Sequence, residues 1–376
     1  MTFITKFLPA VFAFSLLGVG SLGPNANAAS KDPVIIGVEA PITGDQASNG
    51  QDIFRGVKLA VKQANAKGGV LNRKIKLVKL DDKASPDLAS AMVKKAQAKK
   101  VVAVVGPYNS GVGIINLPQY VAAGIVPLSM ASDDDTIGYG STVQPMVEQI
   151  APVEIAYIKS TMAKSVAMLV DPSDYTQGIA DSVKTGLESA GITVTQVPVS
   201  EDVNDYSAEI TRALSTNPDL LYSSTYFPEG SLIAKSLESS NPDSPKCLMG
   251  LANVDPAFVT TAGIKASQRC LFDGVPEAPR FPGASAKAYT KAYKKAFGIN
   301  PGVWGIFSYD SANVLFAAIQ STGGTEYTPV FDAVRKTANF AGATGSITIA
   351  PATGVRNDVP LFIMTVNNKG KYVVQP

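Results

Sequence analysis

Short apolar runs alternate with longer segments whose apolar positions recur at helical spacing, and the alternation begins at Val34. The run VIIGVEA reads as a buried strand. Asp52 to Ala66 then puts Ile53, Val57, Ala60 and Ala64 on one face, which predicts a helix ended by Gly68 and Gly69. IKLVKL is the next strand, and Ser85, Pro86 and Asp87 supply an N-cap, a first-turn proline and a first-turn acid for a helix through Ala98. VVAVV at 101 to 105 is apolar throughout, as strands buried on both faces of a parallel sheet are.

The same order restarts after Pro152 with a helix to Ala163, strand VAMLV, a helix from Gln177 to Ala190 and strand ITVTQV. A helix near Tyr206 to Leu214, strand DLLYSS, a helix from Glu229 to Ser239 and strand CLMG continue it. Pro276 to Gly302 is richer in Pro, Gly and Ala and receives no element. Helices over Phe307 to Ile319 and Pro329 to Thr337 follow, and strands SITIA, LFIMTV and KYVVQ close the chain. This alternation predicts an α/β fold of two doubly wound, Rossmann-like lobes of similar construction.

Composition acts mainly by exclusion. The 376 residues carry 33 basic and 31 acidic side chains with no basic stripe, so nucleic acid is not an expected partner. There is no histidine, which removes the usual general base, the usual zinc ligand and the histidine-dependent nucleophile systems. No G-x-S-x-G elbow is present either. The sequence therefore predicts no enzyme, no cofactor and no metal.

Residues 1–28 read as a cleavable export signal, with Lys6, an apolar core from Phe7 to Val19 and the small-residue site Ala26-Asn27-Ala28. This stretch has no cysteine to accept a lipid, so a free periplasmic protein is expected, with no membrane insertion. The match to G-x-G-x-x-G at Gly18 to Gly23 lies inside the signal and lacks the strand and helix that a dinucleotide site needs. Cys247 and Cys270 are the only cysteines; in an exported chain they are expected to pair, two buried thiols being the alternative.

Ligands of doubly wound sheets bind beyond the carboxyl ends of the strands. The loops there are GPYNSG with Ser110, SMASDDD with Asp133 to Asp135, DPSDYTQG with Tyr175, TYFPEG with Tyr226, and LANVD. Tyr175 and Tyr226 serve either as ligand contacts or as packing residues. The three adjacent aspartates do not match a calcium loop, and neighbours on one turn diverge, so metal binding is disfavoured.

Taken together, APITGDQASNGQDIFRGVKLAVKQANAKGGV, DDKASPDLA, VVAVVGPYNSG and YGSTVQP make the chain similar to the branched-chain amino-acid-binding proteins, the type I periplasmic receptors of ABC transporters. The resemblance implies two lobes joined by three crossovers, with residues 29–145 and 276–355 in lobe 1 and residues 146–275 and 356–376 in lobe 2. It implies a monomer that captures a small polar solute, an amino acid or related amide or amine, in the interlobe cleft by hinge closure. Delivery would be to an inner-membrane permease; a ligand sensor for a membrane kinase or chemoreceptor is the alternative. By the resemblance Ser110 holds a carboxylate, assisted by Ala131 and Asp133, while Tyr175 and Tyr226 cover the ligand. Two positions depart from the family pattern: Asn49 replaces a first-lobe aromatic, and Ala252, beside Asn253, replaces the acid that holds the α-ammonium. A cationic or N–H donor group of the ligand is therefore expected to face Asp133.

Overall fold

The computed structural model describes residues 32–200, 203–241 and 243–375; the expected export signal at 1–28 lies outside them. Strands β1 (Val34–Ala40), β2 (Ile75–Asp81), β3 (Ala103–Val105), β4 (Val126–Ser129) and β5 (Ser141–Thr142) form one parallel sheet in the order β2-β1-β3-β4-β5. Helices α1 (Ala47–Ala66), α2 (Ala89–Ala98) and α3 (Ser110–Ala122) connect them. The first turn of α1 has no apolar periodicity. It is helical because it packs on the end of β1, where Gly50 lies so close to the Pro41 carbonyl that a side chain would collide with it.

Helix α4 (Val147–Ser160) leads into the second sheet, with Pro152 inside the helix rather than ahead of it. There follow β6 (Ser165–Val170), α5 (Asp174–Ser189), β7 (Thr193–Pro198), α6 (Ser207–Ser215), β8 (Leu220–Ser224) and α7 (Phe227–Ser240). Strand β9 (Cys247–Met249), the short helices α8 (Pro256–Ala262) and α9 (Ile264–Arg269), and β10 (Cys270–Gly274) complete this run. Cys247 and Cys270 are register partners on β9 and β10 and form a disulfide with Cα atoms 4.5 Å apart.

Helices α10 (Ala286–Phe297), α11 (Gly305–Thr322) and α12 (Tyr327–Arg335) return to the first sheet and pack on α1, β3 and β4. Helix α10 falls where the sequence assigned no element; Ala286, Tyr289 and Tyr293 make its buried face. Of the expected strand SITIA only the first part belongs to a strand: β11 (Phe340–Gly342) and β12 (Gly345–Ile347) make a separate small hairpin, and Ile349 adds an isolated bridge to Arg356. Strands β13 (Phe362–Val366) and β14 (Tyr372–Val374) join the second sheet antiparallel, giving the order β14-β13-β10-β9-β8-β6-β7.

Strand order reverses beside β1 in the first sheet and beside β6 in the second, the positions at which doubly wound sheets open a crevice. The two lobes meet at these ends, where Ser48 Oγ donates to Asp255 Oδ2 across the cleft at 2.9 Å.

Candidate functional site

A small cavity lies between the lobes, lined by Tyr108, Ser110, Met130, Ser132, Tyr175, Tyr226, Ala252 and Trp304. Each lining residue before Trp304 follows the carboxyl end of a strand: β3, β4, β6, β8 or β9. Trp304 immediately precedes α11. The cavity has a volume of about 10 Å³, room for roughly one water. Its walls touch: ring centroids lie 5.6 Å apart for Tyr108 and Trp304, 6.4 Å for Tyr108 and Tyr226, and 6.0 Å for Tyr175 and Tyr226. Burial holds the Tyr108, Tyr175 and Tyr226 hydroxyls well above the ordinary phenol range, so all three stay protonated.

Ser110 is the first residue of α3, and its Oγ accepts the Asp133 backbone N–H at 3.2 Å. Ser132 Oγ accepts Gln144 Nε2 at 2.8 Å. The same Nε2 donates to the Met130 carbonyl, which can only accept, and this fixes the orientation of the Gln144 amide. Both serine hydroxyls are thus held from behind by an amide donor.

Of the residues expected from the sequence, Ser110, Tyr175 and Tyr226 line this cavity, as does Ala252. The other four are placed elsewhere. Asn49 stands one bond behind the wall, its Nδ2 donating to the Tyr108 hydroxyl at 3.5 Å. Asn253 is consumed internally, donating to the Thr225 carbonyl and accepting from the Thr225 hydroxyl. Ala131 packs its methyl toward Gly113 of α3, and its N–H donates to Ser129 Oγ.

Asp133 requires the plainest correction: its carboxylate does not reach the cavity. Oδ1 accepts the Asp135 N–H at 2.9 Å, capping a short 3₁₀ turn, and Oδ2 lies against Gly178 of α5 in the other lobe. After β4 the lining alternates as it would along a strand: Met130 and Ser132 line the cavity, while Ala131 and Asp133 do not, and Asp133 itself has extended dihedrals. Burial, with the charges of Asp135, Asp134 and Asp174, raises the Asp133 pKa, which its Asp135 hydrogen bond lowers only in part. Asp134 accepts the Glu148 N–H at 3.2 Å, at the start of α4.

Tyr108, Met130, Ser132 and Trp304 are the contributors the sequence reading missed. Trp304 is the only tryptophan in the chain, and an aromatic just ahead of a helix at the lobe junction was the one signal for it.

Outside the cavity the cleft widens into a mouth of about 610 Å³, which includes Gln46, Asn109, Ser173, Asp174 and Glu229. Tyr175 and Tyr226 line both spaces and divide them. Across the same interface Asp174 of α5 lies against Gly111 in the first turn of α3. Each lobe therefore presents a glycine where a carboxylate of the other arrives.

A family model described as periplasmic binding protein matches residues 33–371. The chain belongs to this family, and its lobes are those of a substrate-binding protein of the branched-chain amino-acid transporter type rather than of an enzyme. It is 29% identical over 304 residues to the Leu/Ile/Val-binding protein BraC3 of Rhizobium johnstonii, covering 78% of this chain and 80% of that one. An amino acid binding protein of Pseudomonas aeruginosa is 27% identical, with 85% and 86% covered. Among solved structures, the leucine-binding protein LivK of Thermotoga maritima superposes with a TM-score of 0.83 at 25% identity, covering 91% of this chain and 98% of that one. Among the described residues no helix is long and apolar enough to cross a membrane.

Proposed function

We propose that this chain is the solute-capturing receptor of an ABC importer, acting in the periplasm and handing its cargo to an inner-membrane permease. The cargo is a small organic carboxylate enclosed by hinge closure, with residues 29–145 and 276–355 moving against residues 146–275 and 356–376. The observation that carries this reading is the position of the cavity: it is walled by both lobes at the carboxyl ends of their strands, and a serine opening a helix stands at its edge. Parting the lobes opens such a space to solvent, and closing them creates a shape a membrane partner can recognise. The relatives named as amino-acid binders support an organic carboxylate as the shared ligand group.

The reading is tested by native mass spectrometry of the purified protein for a co-purified small molecule, followed by calorimetry over carboxylate, amide and amine solutes. A ligand bound with unit stoichiometry, together with a smaller radius of gyration in the bound form, is the expected result. If no small solute bound or shifted the melting temperature, the receptor reading would be abandoned.

A further inference from the structure

We propose that the cargo is an aromatic carboxylic acid that carries no ammonium group, an inference that rests on the receptor reading above. It follows from which hydrogen-bonding groups the cavity offers. Among the described residues no charged side chain lines it. Its polar side chains are hydroxyls and one indole N–H. A hydroxyl has one proton and two lone pairs. At Ser110 and Ser132 an amide donor already occupies a lone pair, and among the described residues no protein acceptor takes either proton. Both O–H groups are left to donate into the cavity, beside the first turn of α3, whose backbone N–H groups and dipole also favour an anion. Two convergent O–H donors at a helix start suit a carboxylate.

An ammonium group finds no equivalent in this lining; the Asp174 and Glu229 carboxylates stand in the mouth, on the far side of Tyr175 and Tyr226. Asp133, the acid expected to receive it, faces Gly178 instead. Asp171 is taken up by the Tyr226 and Ser173 N–H groups and the Thr176 hydroxyl, and Asp255 by Ser48 and the Ala257 N–H. Glu154 and Asp273 lie in the protein interior outside the lining, with Glu154 accepting the Tyr222 hydroxyl at 2.8 Å. Burial raises both of these acids above the ordinary carboxyl range, with the charge of Asp273 adding to the effect at Glu154. Attraction of a cation to ring faces is smaller than the cost of burying an ammonium without a counter-ion. The rings suit a different guest: Trp304, Tyr108, Tyr226 and Tyr175 stand in a chain at mutual tilts of 56°, 62° and 49°, and a planar ring admitted as the lobes part would take edge and face contacts in place of those they now make with one another.

The test uses matched probes that differ in one group, with affinities read by calorimetry: 3-phenylpropanoate against phenylalanine, which adds only the ammonium, and 4-methylpentanoate against leucine. Glycine betaine serves as a cation probe. The expected result is that 3-phenylpropanoate binds at least roughly 30-fold more tightly than phenylalanine and more tightly than 4-methylpentanoate. Ser132→Ala should weaken 3-phenylpropanoate by about 10-fold or more with little change in melting temperature, because Gln144 keeps its bond to the Met130 carbonyl. Phenylalanine, leucine or betaine binding as tightly as 3-phenylpropanoate would overturn the inference and leave the receptor reading standing. So would a co-purified ligand of another class, or 4-methylpentanoate binding as well as the aromatic acid. If none of the probes binds and the protein carries no small molecule, both fall together.

Discussion

Gly178 sits inside α5, and a methyl group built on it would fall within van der Waals contact of Asp133 Oδ2 from the other lobe. Gly178→Ala therefore acts on two states in opposite directions. With the lobes parted the position is an ordinary helix interior, where alanine is favoured over glycine by about 1 kcal/mol, so the ligand-free protein should melt slightly higher. With the lobes closed the methyl group displaces a carboxylate that is tied to the Asp135 N–H at 2.9 Å. Overpacking of this kind costs about 1 to 3 kcal/mol, and since only the closed state bears it, the ligand dissociation constant should rise roughly 5- to 150-fold. Titration calorimetry and thermal melts of the same preparations measure the two effects separately. Asp133→Gly removes the obstacle at an N-cap cost of a few tenths of a kcal/mol, so the double variant should recover most of the affinity. Wild-type affinity in Gly178→Ala with Asp133 intact would refute the claim that these two residues meet when ligand is held.

Other expectations follow from the same geometry. Because Trp304 is the only tryptophan and lines the cavity, its fluorescence should change in intensity or wavelength in proportion to occupancy; Trp304→Phe should abolish the signal. The disulfide closes a segment of 23 residues, so replacing Cys247 and Cys270 together by alanine should cost about 3 kcal/mol in denaturant unfolding. Ligand affinity should be unaffected, since the bond joins β9 to β10 within one lobe. Burial pushes Asp82 up to about 7, well above the ordinary carboxyl range, with the Asp81 charge adding to it. The folded state therefore holds a proton that the unfolded chain releases. The contribution is complete below the unfolded value and is lost as pH rises through about 7, so melting temperature should fall across that window and Asp82→Asn should flatten the fall.

The alternation of strands and helices was legible along most of the chain because buried parallel strands are continuous apolar runs, as VAMLV and AVV are, whatever the helices around them do. Helix α10 was not, because the Pro-, Gly- and Ala-rich composition of its surroundings masked a clear amphipathic period that buries Ala286, Tyr289 and Tyr293; Asp52 Oδ1 accepts the Tyr293 hydroxyl at 2.7 Å. The cavity was legible at Ser110, Tyr175 and Tyr226, each the product of a strand end running into a helix. It was not legible at Trp304, which reaches the site only because α11 packs on α1, a contact between segments far apart in sequence. At the aspartate triplet the sequence pointed to Asp133, whereas the cavity is lined by its neighbour Ser132. In an extended stretch a shift of one residue exchanges the two faces, and Ser132 rather than Asp133 looks inward.

Tyr175 and Tyr226 belong to one lobe, wall the cavity and also floor its mouth, and Tyr226 rests against Tyr108 of the other lobe. A guest behind these rings meets them on its way to the mouth. Its residence time is then set by how often the lobes separate rather than by how well any wall grips it, so hand-over becomes a mechanical event. Whatever partner pries the lobes apart decides when the cargo leaves, and chemically different guests that fit the same space should depart on the same clock.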